Sequence, residues 1–337
     1  MADQKSESFF VRSWYQKSPF MLLLLPLSVL YWLISGVRHY FYRQGIFSSF
    51  KAAVPVIVVG NITVGGTGKT PVVIALVEAL RAAGFNPGVV SRGYGSKAPR
   101  YPYKVESVDT PTHCGDEPLL IALRTHAPVV IDGNRQQAIT ALLDEYACDV
   151  IISDDGLQHY ALQRDIEIAV VDGQRGFGNG FLLPAGPLRE TVDRLNCVDY
   201  VVSNGAATAV DLPHNYYEMN LQATGFHALQ GQEFVASTGW QLDKNINAVA
   251  GIGNPQRFYN SLKQLGLDPI EYSFADHHDY CSEDFQFDNN LPVVMTEKDA
   301  VKARFITVPN SSWFLSIDAH IPEEFYASIV SQLKAMK

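Results

Sequence analysis

The run VPVIVVGNITVGGTGKTP, residues 54–71, decides the architecture. Its first six residues are continuously apolar and valine-rich, the composition of a strand buried on both faces. Gly65, Gly66 and Gly68 follow, then Lys69 and Thr70. Past Thr70, the apolar residues Val73, Leu76, Val77 and Leu80 recur at i, i+3, i+4 and i+7. That spacing predicts a helix starting near Thr70, with Gly84 placed as its C-cap. Strand, glycine turn and helix in this order make a phosphate-binding loop. The glycines let backbone N–H groups wrap phosphate oxygens, and the helix N-terminus adds its positive dipole end. The loop spans Thr63, Val64, Gly65, Gly66, Thr67, Gly68, Lys69 and Thr70. Lys69 reaches the β- and γ-phosphates of ATP, and the Thr70 hydroxyl faces Mg²⁺. One position departs from the strict G-x-x-x-x-G-K-[ST] pattern: Thr63 stands at its first glycine.

Working outward, short apolar strands are predicted at 88–90, 128–131, 149–153, 166–171 and 199–202, with helical stretches between several of them. This alternation predicts an α/β protein with a P-loop NTPase-type, mostly parallel sheet flanked by helices. The strand ending in Asp154-Asp155-Gly156 has the form of a Walker B element, so Asp154, Asp155 or both face the metal beside Thr70. Composition shifts towards loop around Gly205–Pro213. Beyond it, runs near 247–250, 270–274 and 292–296 predict a second, smaller α/β domain. The expected division is residues 1–50 as a membrane anchor, 51–205 as a P-loop core domain, and 206–337 as a C-terminal α/β domain closing a cleft.

The N-terminal segment carries twenty uncharged residues between Lys17 and Arg38, enough to cross a bilayer core as a helix, the third element of the expected fold. Pro26 is expected to kink it, and Tyr31 and Trp32 to sit at the membrane interface. Lys and Arg are balanced on its two sides, so charge does not orient it. The formal net charge of −9 disfavours a nucleic-acid partner, and no protein partner is expected. Cys114, Cys148, Cys197 and Cys281 lack zinc-site or redox-motif spacing and read as reduced thiols.

Further polar stretches exceed what a scaffold needs: Ser91-Arg92-Gly93-Tyr94-Gly95, Gly115-Asp116-Glu117-Pro118, Asp154–His159, Asp172–Gly180, Leu183–Glu190, Asp276-His277-His278 and Thr296–Lys302. In this order, with the phosphate loop and the apolar N-terminus, they resemble the tetraacyldisaccharide 4′-kinase family from the N-terminal segment to about residue 302. The resemblance implies ATP-dependent phosphorylation of the 4′-hydroxyl of a lipid substrate, a tetraacylated glucosamine disaccharide 1-phosphate, giving lipid IVA. It also implies location at the inner (cytoplasmic) membrane, with the catalytic domains on the cytosolic side.

By local sequence, Asp116 reads equally as a helix N-cap or as the proton acceptor. The resemblance implies the acceptor. His159 is expected to hydrogen-bond Asp116. Arg189 and Arg92 read as phosphate clamps or as surface ion pairs. The resemblance places His277 near the nucleotide. Asn179 reads as turn chemistry with a left-handed backbone. Thr296-Glu-Lys-Asp299 fails the guanine-reading order [NT]-K-x-D, so a GTP preference is not supported. The alternative reading is a membrane-associated P-loop NTPase switch, whose ATP turnover would need no lipid acceptor.

Overall fold

The computed structural model describes residues 9–213, 215–241 and 243–336. Strand β1 (Val56–Gly60) pairs in parallel with β5 (Val150–Asp154) on one side and β6 (Ile166–Asp172) on the other. Outward from β5 come β2 (Pro87–Ser91), β4 (Val129–Ile131) and the short antiparallel β3 (Tyr103–Lys104). β7 (Tyr200–Asn204) continues the parallel run beyond β6.

Period-two alternation splits β1 between two cores. Ile57 and Val59 pack with helices α3 (Lys69–Ala82), α5 (Asp116–Thr125) and α9 (Glu323–Met336), whereas Val56 and Val58 pack with α6 (Arg135–Glu145). The predicted helix face holds: Val73, Leu76, Val77 and Leu80 are fully buried. α3 ends as its sequence requires. Gly84 adopts φ +88°, its N–H donates to Arg81 O, and Phe85 N–H donates to Leu80 O. These are the two bonds of a Schellman motif, with Phe85 and Leu80 in one apolar core.

The second half comprises β10 (Asn245–Ala250), β11 (Asp268–Ser273), β12 (Val293–Thr296) and β13 (Ser312–His320), with α7 (Pro255–Gln264) and α8 (Glu297–Ala303). It is not a separate sheet. β8 (Tyr216–Ala228) pairs in parallel with β7 through its first residues and antiparallel with β13 through the rest, so one 13-stranded sheet runs through the whole molecule. The short β9 (Phe234–Ala236) pairs only with β8. The chain also returns. α9 lays Phe325, Ile329 and Leu333 against α3 of the first half.

The N-terminal segment is a short helix, α1 (Phe9–Tyr15), a 3₁₀ turn over Pro19–Leu24, then α2 (Leu25–Arg43). Pro26 sits in the first turn of α2, where a missing N–H costs nothing, so it starts this helix instead of kinking it. α2 lies along the body. Ser28 Oγ donates to Leu182 O (2.8 Å) and accepts from Ala185 N (3.0 Å), Tyr31 OH donates to Arg189 O (3.0 Å), and His39 stacks on Tyr160. Tyr31 therefore faces the body, contrary to the expected interfacial role, while Leu27, Leu30, Trp32, Leu33, Ile34 and Val37 stay about half exposed.

Candidate active site

The C-terminal ends of the parallel strands meet along one edge of the sheet, where sites in open α/β folds form. β1 runs into the glycine loop. Gly68 N-caps α3 at φ +97°, and Gly65 adopts φ +109°. Asn204, from the end of β7, donates its amide to Thr67 O (3.0 Å) and braces the loop from below. From the second half, the backbone of Gly253 approaches Gly66 so closely that a β-carbon there would lie 3.3 Å from Gly66 N.

Asp154 lies opposite Val59 in the β1–β5 register, beside the loop. Its Oδ2 accepts from Ser91 Oγ (3.1 Å), while its buried Oδ1 has no hydrogen-bond partner among the described residues. Burial, then Glu117 and Asp155, push its pKa well above the ordinary carboxylate value. Asp155 is placed differently. Its left-handed backbone (φ +49°) turns the carboxylate to Lys69 Nζ (3.3 Å) and to the Arg189 guanidinium (3.2 Å). Burial raises its pKa, but Lys69 and Arg189 outweigh burial and hold it low. Arg189 also touches Gln158 Oε1 (3.3 Å), and Gln158 and Tyr160 both donate to Glu190. Arg189 is thus part of the loop-facing network and not a surface ion pair.

Asp116 is the first residue of α5, and Gly115 is the N-cap. The Asp116 carboxylate keeps one bond to the helix end, where Oδ1 accepts from Glu117 N (3.2 Å), and both its oxygens accept from His277 Nδ1 at 3.1 and 3.0 Å. His277, at φ +61°, comes from the loop after β11. The expected partner, His159, is elsewhere. It lies among Arg135, Arg164, Arg38 and Arg92, where burial first and then these cations push its pKa down to about 4. It remains a neutral imidazole in a positive field. Burial also works against the charge on Asp116, yet the His277 hydrogen bond, Lys298 and Lys302 together hold its pKa below the ordinary range.

Arg92 is exposed. It lines a cavity of about 350 Å³ with Tyr94, Ser96, Tyr101 and Asp132, away from the phosphate loop's own contacts. Asn179 does serve a turn, accepting from Phe181 N and donating to Ala185 O. The left-handed positions, however, are its neighbours Gly178 and Gly180. Three contributors were missed by sequence. Arg135, buried with its guanidinium on Asp132 O and Asp154 O, follows Asn134 with no distinguishing pattern. Lys298 and Lys302 lie in the Thr296–Lys302 stretch, which supports the resemblance as a whole while nothing in its local pattern gives either lysine a role.

A hard cation fits the donors present. Thr70 stands in the first turn of α3, and Asp154 Oδ1, without a partner among the described residues, is the free acceptor. In a phosphate-loop site the nucleotide's own oxygens complete the coordination shell, so few protein ligands are required.

The family described as Tetraacyldisaccharide-1-P 4'-kinase matches residues 20–334. The Tetraacyldisaccharide 4'-kinase of Actinobacillus succinogenes is 47% identical over 331 residues, covering 96% of this chain and 98% of that protein. The Tetraacyldisaccharide 4'-kinase of Mannheimia succiniciproducens is 48% identical over 330 residues, covering 96% and 99%. A crystal structure of LpxK from Aquifex aeolicus, described as in complex with ATP, superposes with a TM-score of 0.78 at 28% identity, covering 93% of this chain and 99% of that one. On sequence over nearly its whole length and on fold, the chain belongs to the tetraacyldisaccharide 1-phosphate 4′-kinase family.

Proposed function

We propose that the chain transfers the γ-phosphoryl group of ATP to the 4′-hydroxyl of a tetraacylated disaccharide 1-phosphate presented at a membrane surface. The observation that carries the reading is one juxtaposition. A phosphate loop with Lys69 and Arg189 is linked, through the Gly253 backbone that lies against Gly66 and beside Asp276, to a second arrangement, the buried carboxylate of Asp116 held by a histidine from the other half of the chain. The first arrangement binds a triphosphate. The second accepts a proton from an alcohol.

In the transfer, the sugar oxygen forms its bond to the γ-phosphorus as the bond to the β–γ bridging oxygen breaks. The bridging oxygen keeps the electron pair and leaves with ADP. The hydroxyl proton passes to Asp116. Lys69 and the loop N–H groups hold the β- and γ-phosphates, and Arg189, already facing Lys69 across Asp155, answers the charge that spreads over the transferring group. Mg²⁺, held by Thr70 and Asp154, would neutralise phosphate charge. Glu117, Asp154 and Asp155 crowd negative charge at this point, and such a cation suits it.

The lipid side is supported by the N-terminal segment. α2 docks through Ser28, Tyr31 and His39 along nearly its whole length, so it lies on the body with an apolar face outward. That favours insertion into the interface of the inner membrane over a straight crossing. Tyr31 ties this helix to the backbone of Arg189, next to the transfer site. The positive field around His159 suits an anionic glycolipid headgroup.

The test is transfer of ³²P from labelled ATP to tetraacyldisaccharide 1-phosphate in detergent micelles with Mg²⁺, for wild type beside Lys69→Ala. Labelled lipid from wild type alone supports the reading. ATP hydrolysis of the same rate with and without lipid, and no labelled lipid, would leave an NTPase switch instead.

A further inference from the structure

α8 of the second half lies along α5 of the first and grips it at both ends. Glu297 takes the Arg124 guanidinium through both oxygens (2.8 and 2.9 Å) near the C-terminus of α5. Lys298 Nζ meets Glu117 Oε1 (3.0 Å) at its N-terminus. The same ammonium lies 3.3 Å from Asp276 Oδ1, 3.4 Å from His277 Nε2 and 3.8 Å from Asp116 Oδ2. One turn further, Lys302 Nζ lies 3.3 Å from Asp116 Oδ2 and donates to His278 O (3.1 Å). Their side chains are only 16% and 10% exposed, so neither is a solvated surface charge.

An ammonium has three donors and no acceptor. Its approach to His277 Nε2 calls for a lone pair there, which puts the imidazole proton on Nδ1, the atom facing Asp116. The charges agree. Around Asp116 stand Lys298 and Lys302 from α8, Asp276 and His277 from the loop after β11, Glu117 on α5 itself, and the neutral, buried thiol of Cys114 from α4 (Pro111–Cys114). With a neutral imidazole, two ammoniums face three carboxylates. One net negative charge remains, the charge a proton acceptor must carry.

We propose that Lys298 and Lys302 are positioning residues for proton transfer, Lys298 fixing His277 as its neutral Nδ1–H tautomer and Lys302 holding Asp116 as a carboxylate. The proposal rests on reading Asp116 as the proton acceptor. It makes the second half of the chain chemically necessary and not merely a lid. Asp116 draws the pKa of His277 upward and Lys298 opposes that pull, so removing Lys298 lets the ring protonate more easily.

The experiment is the pH dependence of kcat for lipid phosphorylation by the full chain. Lys298→Met and Lys302→Met are expected to move the acid limb up by about one pH unit, a loss of about tenfold below the limb that is recovered at higher pH. Lys302→Arg keeps the charge and is expected to leave the limb in place. Arg124→Met loosens the other end of the α5–α8 grip and is expected to lower the thermal midpoint without moving the limb, which separates a structural role from the proposed one. An unmoved limb in both Met variants, with Asp116→Asn inactive, overturns the proposal alone. An active Asp116→Asn overturns the acceptor reading beneath it. Should the Met variants not fold, the ¹⁵N shifts of His277 in wild type decide: a pyridine-type Nε2 at neutral pH supports the proposal, and a pyridine-type Nδ1 or an imidazolium refutes it.

Discussion

Two neighbouring glycines of the phosphate loop should fail for different reasons. Gly68 holds φ +97°, and a β-carbon there would lie 2.6 Å from Asn204 Nδ2 and 3.0 Å from Met219 Cε. Alanine at this position meets two costs. Left-handed backbone costs an L-residue about 1–2 kcal/mol. Relieving the clash means swinging the Asn204 amide off Thr67 O, a buried bond of 3.0 Å, for about 1 kcal/mol more. The sum is about 2–3 kcal/mol. If the fold absorbs it, the thermal midpoint of Gly68→Ala falls by several degrees. If the loop yields instead, kcat/KM for ATP falls about 30- to 150-fold. Gly66 has no positive φ, and a β-carbon on it meets nothing within 4 Å. Gly66→Ala should therefore cost under about 0.5 kcal/mol of stability, while weakening ATP binding because the added methyl stands where phosphate is cradled. Differential scanning calorimetry beside steady-state kinetics checks both. A Gly68→Ala protein with wild-type midpoint and wild-type kcat/KM refutes the reasoning, as does a Gly66→Ala protein destabilised to the same degree.

Ser28→Val removes the one hydroxyl that serves both Leu182 O and Ala185 N; Leu182 O keeps its bond from Gly186 N, but the buried Ala185 N–H is left unpaired at about 1–3 kcal/mol. The KM for lipid is expected to rise with the KM for ATP unchanged, and an equal rise in both would detach α2 from the lipid side. His159 gives a pH prediction. Its folded pKa is about 4 against 6.5 in a free chain, so between those values the unfolded state binds more protons. Stability therefore falls as pH drops from 6.5 to 4, and His159→Gln is expected to flatten that part of the curve. Urea midpoints at pH 7 and pH 5 measure it, and a slope equal to wild type counts against the buried cationic setting.

The first half was legible because its signals are local. The strand at 54–59, the i, i+3, i+4, i+7 stripe and Gly84 each depend on a few adjacent residues, and the core confirms them. β8 was missed for a physical reason. Its run, YYEMNLQATGFHA, mixes Glu, Asn, Gln, Thr and Gly among apolar residues, because one end pairs with β7, the other with β13, and much of it is half exposed. Neither the alternating nor the continuous apolar template fits a strand that changes surroundings midway. The histidine partner of Asp116 was misassigned by the same limit. His159 is nearer in sequence and follows Asp155 by four residues, whereas the 161 positions separating Asp116 from His277 are bridged only by the assembled sheet.

That long bridge explains why the chemistry needs three segments in place at once. The first half supplies the phosphate loop, Asp154 and Asp116. The second supplies His277, Lys298, Lys302 and the Gly253 backbone against Gly66. The N-terminal segment reaches both. Tyr31 holds the backbone of Arg189, and Arg175 stacks on Tyr15 (4.0 Å) while donating to Gly253 O (3.1 Å). At the end of β6 the Arg257–Asp172 pair adds a further tie between the halves. Were the halves joined only by a flexible linker, a 1 Å drift would separate Asp116 from its histidine and lose much of the rate, since positioning carries a large share of phosphoryl transfer. A strand shared by both halves, and a final helix packed back on α3, set that distance from two sides. On the proposed reading of Asp116 as acceptor, the polar ladder of α8 along α5 then sets which protons Asp116 and His277 carry.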